Sequence, residues 1–273
     1  MGTVISCRQI YGNRSTRCSA DLENENKIDP GKNAAAGMMN NSLTSANPTA
    51  ENIAPYVLLG MTAVTGLVDA VSFLSLGSVF TANMTGNILI LAFATARVSE
   101  LSVARSLTAL IAFVMGAMLG GRITARASAD SRMRFAAQAF LLEVVFLSAA
   151  SFCSIGYRSN LLEHSLQPLV LITFTGLAMG TRNAAVRKLA IPDLTTTVLT
   201  LTVTGIAADS SFAKGNNPRL ARRVGSVLAI FFGAAFGAVI IHYSISTALW
   251  LGTAISALCS AALFRSLRTP DKL

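Results

Sequence analysis

Eight apolar runs divide this sequence, at about 54–76, 79–96, 105–121, 135–156, 166–181, 194–208, 224–242 and 245–264. Each is continuous and does not alternate, a property that restricts the fold more than any other. A continuous run suits a helix, which satisfies its backbone internally and turns its side chains to lipid, whereas the strands of a membrane β-barrel alternate polar and apolar residues. A soluble core could not hide so many such runs in a chain that is 52% hydrophobic and 13% charged. The expected class is an all-α membrane protein.

A crossing helix needs about twenty residues to span roughly 30 Å of hydrocarbon. The run at 194–208 is too short, lies between Asp193 and Asp209, and carries Thr195, Thr196, Thr197, Thr200, Thr202 and Thr204. Basic residues decide how it lies, because short cytoplasmic loops collect Lys and Arg. If this run turns back, 14 basic residues from Arg122 to Lys272 fall on one side and only Arg97, Arg105 and Arg158 on the other. If all eight runs cross, the better split is 10 to 7. The run is therefore read as re-entrant.

The membrane region also looks written twice. Gly66, Thr81, Thr85, Gly116 and Gly120 recur as Gly176, Thr196, Thr200, Gly233 and Gly237, at an offset that grows from 110 to 117. By this analogy 79–96 is re-entrant too. The expectation is about six transmembrane helices plus two re-entrant polar segments in an inverted-repeat architecture, with halves at about 54–121 and 166–242. The run at 135–156 lies outside the repeated core. Both termini are expected in the cytoplasm and the protein in a cell membrane, the bacterial inner membrane. The two Thr-rich elements would enter from opposite faces and meet near the midplane, as broken helices do in transporters.

Residues 1–53 hold five basic and five acidic residues in an Asn/Ser/Thr/Ala-rich setting, the composition of a disordered tail ahead of a membrane domain at 54–266. Residues 267–273 form a cytoplasmic C-terminal tail. Gly2, Ser6 and Cys7 fit a myristoylation pattern short enough to arise by chance, and Met38 offers an alternative start. The net charge of +9 sits mostly in short loops, without a stripe of aromatic and basic residues, so the bilayer and not nucleic acid is the expected partner. Cys7, Cys18, Cys153 and Cys259 lack metal or redox spacing, and His164 and His242 lack ligand companions; no metal or other cofactor is expected. The HExxH, GxSxG and Walker motifs are missing, so no enzyme is expected.

Three stretches carry a resemblance: GLVDAVSFLSLG from Gly66 to Gly77, FTANMTGN from Phe80 to Asn87, and GTRNAAVRKLAIPDLTTTVLT from Gly180 to Thr200. In order and spacing they resemble the YoaK-like family, a bacterial and fungal domain of unknown function found in integral membrane proteins. The resemblance covers residues 55 to 265, about six helices are usual for it, and it carries over no catalytic residue.

Intramembrane polar residues are the candidates for function, because a carboxylate there is costly unless paired, protonated or wet. Asp69 is read as a proton or cation site, or equally as a packing contact, and Glu143 as structural. Thr81, Asn83, Thr85, Gly86 and Asn87 would make the first short segment polar on two sides, so that it lies within protein or along a wet cavity. Thr196, Thr200 and Thr204 form the matching row. Arg182 and Asn183 are placed at the cytoplasmic end of 166–181, Arg182 as an interface anchor. The two GxxxG motifs, Gly116 to Gly120 and Gly233 to Gly237, are read as packing faces. The expected pathway is Asp69, Thr81, Asn83, Thr85, Gly86, Asn87, Asn183, Thr196 and Thr200, serving a transporter or channel for a small solute or ion. The alternative is a membrane protein that binds a partner subunit or lipid and moves nothing; a homo-oligomer is compatible with either.

Overall fold

The computed structural model describes residues 48–96, 101–125, 127–128, 131–157, 166–191, 199–217 and 219–268, all within the compact unit Ala46–Leu273. The expected disordered tail up to residue 47 and the candidate Thr196 lie outside them. Eight α-helices are described: α1 (Pro48–Ser75), α2 (Met84–Thr95), α3 (Val103–Thr124), α4 (Arg132–Cys153), α5 (Gln167–Leu189), α6 (Leu199–Ala208), α7 (Leu220–Ile241) and α8 (Ile245–Arg268). Six of these are long and apolar enough to cross a membrane, while α2 and α6 are not. The helix α1 begins at Pro48, ahead of the expected boundary at 54, with the membrane-length part running from Asn52.

Glycines set the helix pairs. A Cβ on Gly116 or Gly120 would collide with the backbone of Leu177 or Thr181, and one on Gly180 with that of Phe113. Because these contacts advance together along both helices, α3 and α5 run parallel. Gly233 and Gly237 meet Ala63 and Leu67 in the same way, so α1 and α7 are also parallel. The helices α1 and α5 are antiparallel: Val57, Leu58 and Met61 in the first half of α1 share a core cluster with Ala185 and Val186 late in α5, while Val64, Val68 and Val71 in its second half share one with Leu171 and Ile172 early in α5.

These directions govern the short helices. Arg105 near the start of α3 touches Gly77 just beyond α1, so the chain enters α3 at the end of the bundle where it left α1. Gly77 and Ser78 make the reversal with positive φ, +98° and +55°. The strand of chain that follows folds back along α1, and Thr81 and Ala82 bond Asp69, about 9 Å before the end of that helix. From there α2 returns outward, tied to α3 by Asn87 Nδ2 donating to the Ser106 carbonyl at 3.1 Å. At the other end α6 behaves alike. It begins beside Ile230 and Ala234, well inside α7, and finishes where Arg223 donates to Gly205 O and Asp209 Oδ2, both at 2.7 Å.

The packing pairs exchange when the first four helices are swapped with the last four. The contacts α1 with α7, α2 with α3 and α4 with α5 become α5 with α3, α6 with α7 and α8 with α1. This relation includes α4, which the sequence reading left out. It also shifts the glycine correspondence by a turn: Gly116 faces Leu177 and Gly237 faces Leu67, so the counterpart of Gly116 by contact is Gly237 and not Gly233.

The apolar core falls into two clusters, one around Val64, Leu147, Leu171 and Leu249, the other around Leu58, Phe140, Ala185 and Leu263. Between them α1, α4, α5 and α8 each contribute polar residues to one layer: Thr65, Glu143, Arg182 and Ser256. Outward, α7 presents Phe231, Phe232 and Phe236.

Candidate functional site

A cavity of about 440 Å³ opens between α1 and α7. Its α1 wall is Thr65, Gly66, Asp69, Ala70, Phe73 and Leu74, and its α7 wall is Ile230, Ala234 and Ala238. Two inward tips complete it: Phe80, Ala82 and Asn83 ahead of α2, and Leu199 and Thr200 at the start of α6. Small residues make the space. Gly66 lets α7 approach closely, while Ala70, Ala234 and Ala238 leave the volume beside that contact empty.

Asp69 holds the first tip. Its Oδ1 accepts from the backbone N–H of Thr81 at 3.0 Å and of Ala82 at 2.9 Å, strong bonds of the charge-assisted kind. Phe80 stacks on Phe73 with centroids 4.9 Å apart, and Gly86 gives its ring room on the α2 side. Asn83 caps α2, its side-chain oxygen accepting from Gly86 N–H at 3.5 Å.

Beneath the floor lies the polar layer. Thr65 Oγ1 donates to Met61 O at 3.1 Å and accepts from Arg182 Nη2 at 2.7 Å. Arg182 Nη1 donates to Met61 O and to Glu143 Oε1, both at 3.0 Å, and Ser256 donates to the same carboxylate oxygen. Arg182 and Glu143 are both 0% exposed. At the α4–α5 end of the bundle Tyr157 donates to Ser75 O at 2.9 Å. Burial pushes the Tyr157 phenol above its usual pKa, against the pull of Arg105, so it remains a donor at physiological pH.

The structure brings Asp69, Asn83 and Thr200 into one cavity. Thr81 and Asn87 are buried beside it without lining it; the Thr81 hydroxyl and the Asn87 side-chain oxygen have no partner among the described residues. Thr85 is exposed and outside the lining, so the expectation that this segment is enclosed by protein fails on that side, where α2 also exposes Ile88, Leu89 and Phe93. In α6 the buried threonine is Thr202, whereas Thr204 is exposed. Asn183 is not at the cavity: its Nδ2 donates to Met179 O within its own helix. Arg182 is not an interface anchor either, because α5 continues to Leu189 and carries it into the core. Sequence reading missed Thr65, the Phe73–Phe80 stack and the α7 wall. The one available signal was the pair of opposite charges, Glu143 and Arg182, each within an apolar helix.

Six long apolar helices, four of them packed around a buried ion pair, with an amphipathic cavity between α1 and α7, define a multi-pass helical membrane protein. The signature described as "Protein of unknown function (DUF1275)" matches residues 57–262, and the chain belongs to that family. It is similar to the UPF0700 transmembrane protein YoaK of Bacillus subtilis (strain 168), with 36% identity over 154 residues. That match covers 56% of this chain and 65% of the relative's length. No solved structure matches.

Proposed function

We propose that the protein is a transporter or channel for a small solute or ion, built as an inverted repeat in a cell membrane, the bacterial inner membrane, with both termini cytoplasmic. The observation that carries this reading is one cavity lined by both inward tips, Asn83 ahead of α2 and Thr200 at the start of α6, which approach from opposite ends of the bundle. Re-entrant tips at a shared cavity place polar groups where a solute must pass, while the flanking helices supply the walls. Basic residues support the orientation, and moving Arg182 from the loops to the core leaves their bias strongly one-sided.

Two experiments test the reading. Single cysteines at Ser128, Lys214 and Thr269 are expected to be shielded from an impermeant thiol reagent in intact cells, and one at Ser159 to react; labelling of Lys214 from outside would mean that α6 crosses and would overturn the inverted-repeat reading. For the cavity, a thermal-shift screen of ions and metabolites on purified protein is expected to yield ligands that raise the unfolding temperature. A ligand at a hundred times its Kd adds about 2.7 kcal/mol. Thr200→Trp, which places a bulky ring in the cavity, should weaken those shifts at an unchanged basal unfolding temperature. Shifts that persist undiminished in Thr200→Trp would place the site elsewhere, and a complete absence of solute ligands would favour the partner-binding alternative.

A further inference from the structure

We propose that the cavity takes a small amphiphilic cation, an ammonium group on an apolar body, with Asp69 as its counter-charge. This rests on the reading of the cavity as a binding site and adds the chemical class of its occupant. Among the described residues Asp69 is the only charged one in the lining. No Lys or Arg pairs with it among the described residues. Arg182, whose charge reaches Asp69, lies below the floor and is engaged by Glu143, Met61 O and Thr65, and Arg223 holds Asp209 and Gly205 O at the far end of α6. A carboxylate within an apolar bundle calls for a positive partner, and here the protein supplies the backbone N–H groups of Thr81, Ala82 and Asn83 and the charge of Arg182, which is already shared with Glu143.

The rest of the lining selects among cations. A hard metal ion seeks six or more oxygen ligands, and the cavity offers one carboxylate, the Asn83 amide and two hydroxyls among apolar walls. Of those hydroxyls Thr65 is already engaged by Arg182, which leaves Thr200. Phe73, Phe80, Leu74 and Ile230 instead match a hydrocarbon body, and an aromatic face near the charge favours an ammonium group further. A volume of about 440 Å³ lies in the ordinary range for small organic ligands. An anion would meet Asp69 with like charge, and a neutral solute would leave that charge unanswered.

The test uses the full chain in nanodiscs of zwitterionic lipid, with empty discs as blank. Three probes of matched shape are titrated calorimetrically: 2-phenylethylammonium, 2-phenylethanol and phenylacetate. The expected result is that the ammonium binds at least tenfold tighter than the alcohol and that phenylacetate does not bind. In Asp69→Asn the advantage of the ammonium over the alcohol should vanish, with the unfolding temperature of the variant reporting that it is folded. Equal binding of ammonium and alcohol to the parent, or an advantage that survives in Asp69→Asn, overturns the assignment and leaves the cavity as a site for neutral solutes. Should Asp69→Asn fail to fold, the parental ratio decides by itself. Failure of all three probes to bind overturns both the cation assignment and the reading of the cavity as a site.

Discussion

Glu143→Ala is expected to destabilise the protein by about 3–5 kcal/mol, the cost of leaving one member of a buried ion pair without its partner. Arg182 would then be a guanidinium sealed among four helices, with Met61 O, Thr65 and Met179 as its remaining contacts. Ser256 would lose its acceptor as well. The double variant Glu143→Met with Arg182→Met removes both charges and should recover most of the loss, because well-packed apolar residues can replace a buried pair at little net cost. Chemical unfolding in detergent, together with the amount of folded protein in membranes, measures both variants. A single variant within 1 kcal/mol of the parent would mean that water reaches Arg182 and that the layer is not sealed.

Gly180→Leu should have an effect of similar size for a different reason. Any Cβ at Gly180 would collide with the Phe113 carbonyl oxygen and the Ala117 amide, and backbone on a packed helix cannot yield as a flexible side chain does. The helices α3 and α5 would have to separate along their whole contact, at an expected cost of ~3 kcal/mol or more, the upper end for overpacking. Gly121→Ala is the matched control. That glycine has nothing within 4 Å of a new Cβ, so the substitution should be neutral or stabilise by up to about 1 kcal/mol through helix propensity. If Gly180→Leu unfolds at the parental denaturant concentration, close helix packing is not what holds this half of the bundle together.

The class of fold, the six long helices and the shortness of α6 were legible in the sequence, since a continuous apolar run and its length determine by themselves what can cross hydrocarbon. Asp69 was legible as well, because a carboxylate inside such a run stands out without any knowledge of its neighbours. The rest belongs to tertiary structure. Glu143 and Arg182 are 39 residues apart and their pairing depends on how α4 and α5 rotate against each other, which no local pattern encodes. Asn183 and Thr85 look as polar as Asn83 and Thr200, yet only the latter two line the cavity. Nothing in its own segment marks Thr65, whose hydroxyl accepts from Arg182. Small residues announced close packing, but the partner each glycine meets, Leu177 for Gly116 and Leu67 for Gly237, is decided by contacts between helices distant in the chain. Periodicity and cost of burial are properties of one segment. A site is a property of several segments at once, and its address is set by packing.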